Sequence, residues 1–195
     1  DKLDLATYRQ QDTKDLVSFV HNASLIVKNR GIKSIEYFKD NRELFNKQDY
    51  YLYIYTLDGK NLFHAAMPNI EGNDLLNITD KDGKPVTRLI QEALINDSDP
   101  HSWVHYSWWE ADTFYPVPKS SCHFLVTTPS GDKIFVGGGM NYPHEEKEFI
   151  KVIVDNAVEL VNAQGDDSFS MIENPTSQFN FRDVRVFVFD ESGKM

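Results

Sequence analysis

The sequence predicts an α+β domain: a five-stranded antiparallel sheet flanked by long helices. Three observations predict it. Apolar residues recur at helical spacing in three separate stretches, near 12–29, 86–94 and 144–164. Between those stretches lie five aromatic or β-branched runs of strand length. Short turn signals join successive strands, and such short connections allow only antiparallel pairing.

Residues 12–29 form the first expected helix, because Leu16, Phe19, Val20, Ala23, Ile26 and Val27 share one face, and Gly31 supplies its stop. A second helical piece follows with Ile35, Phe38 and Phe45 inward. The character then changes. Tyr50 to Tyr55 is aromatic and β-branched, Leu57-Asp58-Gly59-Lys60 is a turn, and Asn61 to Ala66 is the returning strand. Met67 to Lys84 is rich in turn residues, and Val86, Leu89, Ile90, Ala93 and Leu94 mark an inserted helix. Three strands come next, Ser102 to Trp109, Lys119 to Thr128 and Lys133 to Met140, the last two joined by Pro129-Ser130-Gly131-Asp132. A helix near 144–164 carries Phe149, Ile150, Ile153, Val154, Ala157, Leu160 and Val161 inward and stops at Gly165. A five-stranded antiparallel sheet with a helical insertion after its second strand is PAS-like, with a long N-terminal helix and a C-terminal helix expected to pack on one face or edge.

The 195 residues are 41% hydrophobic, enough for one ordinary domain or one domain and part of another. No stretch approaches the roughly 18–20 apolar residues of a membrane span, so any anchor is expected elsewhere in the parent protein. The net charge is −10, and the basic residues are scattered singly among acids, which argues against nucleic acid as a partner. One cysteine, Cys122, excludes an internal disulfide, a CxxC pair and a cysteine zinc cage.

A shift of 134 positions, which carries Gly31 onto Gly165, aligns two segments without a gap. Val20, Asn22, Ala23, Val27, Ser34, Phe45, Asn46, Asp49, Gly59 and Lys60 recur as Val154, Asn156, Ala157, Val161, Ser168, Phe179, Asn180, Asp183, Gly193 and Lys194. Tyr53-Ile54-Tyr55 falls on Phe187-Val188-Phe189, which therefore reads as a strand. Self-similarity at a fixed period indicates tandem modules. The expected division is residues 1–165 as one domain and 166–195 as the start of a truncated second module. Residues after about 166 are expected to have little core of their own unless they pack on the first module or another molecule.

Polar and aromatic residues are densest in Trp103 to Trp109 and in Pro118 to His123. Strand alternation puts Trp103, His105, Ser107 and Trp109 on one face and Val104, Tyr106 and Trp108 on the other. Tyr and Trp can wall a small cavity while their polar tips meet a ligand. Lys119, approached through Pro116 and Pro118, suits a carboxylate. His64, His101, His105, His123 and His144 lack HExxH or similar metal spacing, so no metal is expected. Ser120 and Ser121 lack a nucleophile elbow, and Cys122 has only His123, pointing to the opposite face, as a neighbour. Gly137-Gly138-Gly139 has no phosphate-loop frame and reads as a place of close backbone approach.

Tyr53 to Lys60 with His64, Pro68-Asn69-Ile70-Glu71-Gly72-Asn73 and Asp80-Lys81-Asp82-Gly83-Lys84 together resemble the extracellular Cache sensor family. Trp103 to Trp108, Pro118-Lys119-Ser120 and Gly137-Gly138-Gly139 continue that pattern in order. The resemblance covers about residues 10–165 and is to the single-module type that binds small organic acids, with Asn174 to Ser177 and Phe187 to Asp190 resembling the opening of another such module. It implies a ligand-sensing domain outside the cytoplasmic membrane, as in chemoreceptors and sensor kinases, with neither catalysis nor cofactor. The parent would be membrane-anchored or exported, and a homodimer through the N-terminal helix is compatible with it. By position, Trp103, Tyr106, Lys119 and Ser121 would surround a small carboxylate, Lys119 binding it and Tyr106 donating a hydrogen bond, with His64, Trp108 and Cys122 at the same site. The family often has an aromatic residue where Asn141 stands here, with Tyr142 one later.

Acetate, propionate, pyruvate and lactate suit so small a cavity. An amino acid would use His64, Asp80 or Asp112 as acceptor for its amine. Two other readings are a structural or solute-binding module of an exported tandem array and a small hydrolase using Cys122 or a His-assisted serine.

Overall fold

The computed structural model describes residues 3–96, 102–109, 116–141, 146–181 and 184–195. Helix α1 spans Gln11–Arg30 and α2 Ser34–Asp40. Strands β1 (Tyr50–Thr56) and β2 (Asn61–His64) precede α3 (Val86–Asn96). Strands β3 (Ser102–Trp108), β4 (Val117–Thr127) and β5 (Lys133–Asn141) complete the sheet. Helices α4 (Glu146–Gln164) and α5 (Phe169–Glu173) follow, then a two-residue-per-strand hairpin of β6 (Asn180–Phe181) and β7 (Val184–Arg185). The five main strands run in the order β2-β1-β5-β4-β3, all antiparallel, with α3 inserted after β2. This is the α+β, PAS-like architecture that the element order predicts.

Register decides what each face of the sheet carries, because residues paired across strands share a face and alternate positions oppose it. On one face lie Leu52, Ile54, Val136, Gly138, Cys122, Phe124 and Trp103. Helix α1 lies across β4 and β5 on this side, burying Leu16, Val17, Val20, Ala23 and Val27. A Cβ on Gly138 would stand 2.6 Å from Val20 Cγ2, so the helix approaches as closely as it does only over glycine. The His21 ring sits 5.1 Å from Phe124, and the Trp103 Nε1–H donates to the Tyr8 hydroxyl at 2.8 Å, fastening the N-terminal segment to the same face.

The opposite face carries Tyr51, Tyr53 and Tyr55 from β1, Phe135, Gly137, Gly139 and Asn141 from β5, and Lys119, Ser121 and His123 from β4. Val104, Tyr106 and Trp108 from β3 and His64 from β2 complete it. Helix α3 lies against this side.

Two differences from the sequence reading have simple causes. Strand β2 ends at His64, where Arg42 and Glu71 take up its backbone carbonyl and N–H, although Ala65 still donates to the Leu52 carbonyl at 2.9 Å. Phe187-Val188-Phe189 forms no ladder among the described residues. Beyond Gln164 the chain turns at Gly165 into α5 and the small hairpin, where Ile172 and Phe179 join Ile153 and Ala157 of α4 in a separate small core.

Candidate functional site

Alternate residues of β1 build the floor of a narrow cavity beneath α3. Tyr51, Tyr53 and Tyr55 point into it together with His64, Phe135, Tyr106 and Trp108, and Val86, Thr87 and Ile90 of α3 close it from above. Its volume is about 20 Å³, room for only one or two waters. The Tyr53 ring lies across β5 at Gly137, where an added Cβ would be 2.3 Å from the ring and 2.7 Å from His123. Tyr55 stacks on Phe135 at 5.2 Å, and Tyr53 stacks on His64 at 5.7 Å.

The polar atoms of this face converge. The Tyr53 hydroxyl and His123 Nε2 are 2.8 Å apart, and Ser121 Oγ lies 3.2 Å from the same nitrogen. Tyr106, the cross-strand partner of Lys119, lines the cavity on the same face. Burial raises the pKa of both tyrosines, so both keep their protons and can donate. Lys119 is fully buried, with its ammonium 3.7 Å from the centre of the Tyr51 ring, a cation–π contact in a low-dielectric setting. Asn141 is its cross-strand partner, and Asn141 Oδ1 is buried with no hydrogen-bond partner among the described residues.

His64 is held in one protonation state. Burial first, then the charges of Lys119 and Arg42, bring its pKa down to about 3, so the ring is neutral at physiological pH. The Met67 backbone N–H donates to Nδ1 at 3.0 Å, which leaves the ring proton on Nε2. The backbone of His64 is braced as well: Arg42 donates to its carbonyl at 2.6 Å, and its N–H donates to Glu71 at 3.0 Å. Arg42 and Glu71 pair at 2.8 Å, with Lys39 at 3.4 Å. Burial would raise the Glu71 pKa, but Arg42, the His64 N–H and Lys39 hold it below the usual carboxylate value.

The loop before α3 is tied to the sheet edge. Strand β3 is an edge strand, and Lys84 donates to the His105 carbonyl at 2.8 Å while the Ser107 N–H donates to Asp80 at 3.1 Å. Asp80 also accepts from the backbone of Asp82 and Lys84, which rounds the turn. Burial lowers the Lys84 pKa to about 8 against the opposing pull of Asp80 and Asp82.

Of the residues singled out in the sequence, His64, Tyr106, Trp108, Lys119 and Ser121 come together on this face. Trp103 and Cys122 do not. They are cross-strand neighbours on the α1 side, one bonded to Tyr8 and the other fully buried in apolar packing. Burial pushes the Cys122 thiol up, the reverse of what a nucleophile needs. Asp80 is engaged at the β3 edge, and Asp112, Tyr142, His101 and His144 lie outside the described residues. His105, bonded through Nδ1 to Ser120 at 2.8 Å, is on the α1 side. Among the described residues no three His, Cys, Asp or Glu side chains gather as a metal site. Sequence reasoning missed Tyr51, Tyr53, Tyr55, Phe135 and His123. His123 follows Lys119 and Ser121 by simple alternation, a signal the sequence carries; the three tyrosines are alternate positions of one strand, but which side they face is set by its pairing with β5.

An antiparallel sheet with an inserted helix over a small polar cavity is the build of a PAS-like ligand-binding domain. This chain belongs to the Cache domain family, which matches residues 28–127. Among solved structures it is similar to a Cache chemosensory domain studied for carboxylic acid recognition, at 23% identity and a TM-score of 0.53, covering 68% of this chain and 94% of that one. It is also similar to the periplasmic sensor domain of a chemotaxis protein, at 18% identity and a TM-score of 0.52, covering 69% of this chain and all of that one. These likenesses show the fold. No curated protein matches the chain.

Proposed function

We propose that this domain senses a small monocarboxylate of the acetate, propionate, pyruvate or lactate class from outside the cytoplasmic membrane and relays the event through its terminal helices, without catalysis. The observation that carries the reading is the fully buried Lys119 ammonium, on the same sheet face as the cavity and against the Tyr51 ring that lines it. The Tyr53 and Tyr106 hydroxyls and the Nε2–H of His64 add donors at the cavity, enclosed by aromatic rings, and Ser121 lies on the same sheet face. A cation with convergent donors in an apolar enclosure is complementary to an anion with a short carbon body. The resemblance to a carboxylic acid-binding Cache domain and to a periplasmic chemotaxis sensor supports both the ligand class and the location. No described helix is long and apolar enough to cross a membrane.

The cavity of about 20 Å³ is smaller than a two- or three-carbon acid, so entry requires α3 or the loop before it to move outward. The ligand then favours one arrangement of α3 over another, and a ligand shifts an equilibrium only through such differential affinity. A thermal-shift screen of short carboxylic acids and amino acids tests the reading. One acid class is expected to raise the midpoint with dose. A rise with amino acids alone would replace the acid reading, and a flat response to every compound, with mass spectrometry finding no co-purified acid, would end it.

A further inference from the structure

One buried acceptor lies beside the donors of the cavity face. Tyr106, Lys119 and Asn141 form a single row across β3, β4 and β5, each the cross-strand partner of the next. Asn141 is the last residue of β5 and is half-buried, but its Oδ1 is the buried end, and that oxygen has no hydrogen-bond partner among the described residues. The neighbouring Lys119 ammonium does not meet it; the ammonium lies over the Tyr51 ring, 3.7 Å from its centre. Residues directly opposite on antiparallel strands have Cβ atoms about 4.5–5.5 Å apart, so a small molecule held by Lys119 is within reach of Asn141. A buried carbonyl oxygen left without a donor is costly, and native structures as a rule supply one from protein, water or ligand.

We infer that Asn141 is a specificity-determining residue whose Oδ1 accepts a hydrogen bond from the ligand, and that the preferred ligand is therefore a 2-hydroxy acid of the size of lactate. The inference rests on the carboxylate reading and narrows it. With the carboxylate on Lys119 and Tyr106, a hydroxyl on the adjoining carbon supplies the donor that Oδ1 lacks. Acetate and propionate have no second polar group, and the keto oxygen of pyruvate only accepts, so all three leave Oδ1 unpaired. An amino acid would donate, but its ammonium would join the Lys119 charge on a face to which the strands bring no Asp or Glu. Glu71, the nearby carboxylate beside His64, is already paired with Arg42. An added buried cation without a counter-charge is strongly unfavourable, whereas a neutral hydroxyl carries no such cost.

Lactate and propionate differ by one hydroxyl, so calorimetric titration of both into the native protein isolates the contact. In an aromatic cavity with no acceptor to spare, the extra hydroxyl would weaken binding. With Asn141 Oδ1 waiting for it, lactate is expected to bind about tenfold or more tightly than propionate, because a site built to meet a hydroxyl rejects the analogue that lacks it. Pyruvate and alanine are expected to bind more weakly than lactate as well. In Asn141→Leu, confirmed as folded by urea unfolding, the preference for lactate over propionate is expected to disappear. The native comparison decides even if that variant does not fold. Equal affinities for lactate and propionate in the native protein would assign Oδ1 to a water and overturn the inference, leaving the carboxylate reading in place. A lactate preference that survives in folded Asn141→Leu would do the same, and so would alanine binding more tightly than lactate. Binding of no acid at all would end the carboxylate reading and this inference with it.

Discussion

The two faces of the five-stranded sheet are made from the same strands and do opposite work. Toward α1 the residues are mostly apolar, Leu52, Ile54, Val136 and Phe124, packed to the point that Gly138 is needed for clearance, with the bonded His105–Ser120 pair as the buried polar exception. Toward α3 the alternate positions carry Tyr51, Tyr53, Tyr55, Ser121, His123 and Lys119, equally buried but full of polar atoms. Burial therefore does not distinguish core from site in this molecule; the chemistry of what is buried does. A face of aliphatic groups is cheap to bury and specifies the fold, while a buried ammonium and a cluster of hydroxyls are costly and are retained where a ligand uses them.

The contrast can be broken from either side. Leu16→Ala on the α1 side leaves a hole under the sheet and should destabilise the domain by about 2–5 kcal/mol, read as a lowered urea midpoint, with ligand affinity of the folded protein unchanged. Acid tests both faces together, since His64 on one and His105 on the other each have a pKa of about 3, lowered from 6.5 chiefly by burial. The unfolded chain takes up these protons below pH 6.5 while the folded one does not. Their stabilisation is thus fully present above pH 6.5 and is lost as pH falls toward 3, at up to about 1.4 kcal/mol per pH unit for each histidine. Denaturation series at pH 7 and pH 5 should show this slope, and His64→Gln or His105→Gln should each flatten it.

Gly137→Ala drives a Cβ into the Tyr53 and His123 rings and should cost about 1–3 kcal/mol by overpacking. Because those rings belong to the cavity face, acid binding should weaken beyond the loss in stability; calorimetry alongside melting separates the two. The smallest effect is expected for Lys84→Met, which removes the bond from the α3 loop to the His105 carbonyl. Hydrogen exchange in α3 should rise severalfold, as expected of a local opening, while exchange in β1 and β5 stays as it was.

Most of the element order was legible, since amphipathic helices and aromatic strands carry strong periodic signals. Alternation in β3 was legible too, and it separated Tyr106 and Trp108 from Trp103 without the structure. Grouping Trp103 and Cys122 with the site failed because a resemblance by position says nothing about which face a residue takes; register does. The three tyrosines of β1 went unnamed because a buried aromatic strand looks the same whether it faces a helix or a cavity. Only its pairing with Gly137 and Gly139 on β5 shows the difference, and that pairing joins positions far apart in sequence. The strand expected at Phe187-Val188-Phe189 lacks a ladder because a strand is made by its partner as much as by its own residues.

The central claim is that the α3 face of the sheet binds a small carboxylate through Lys119. Calorimetric titration of acetate, propionate, pyruvate and lactate into the native protein and Lys119→Met tests it most directly, with urea unfolding of both to confirm a folded variant. The account predicts saturable binding of at least one acid to the native protein and none to a folded Lys119→Met. Equal affinity in the two proteins would contradict it.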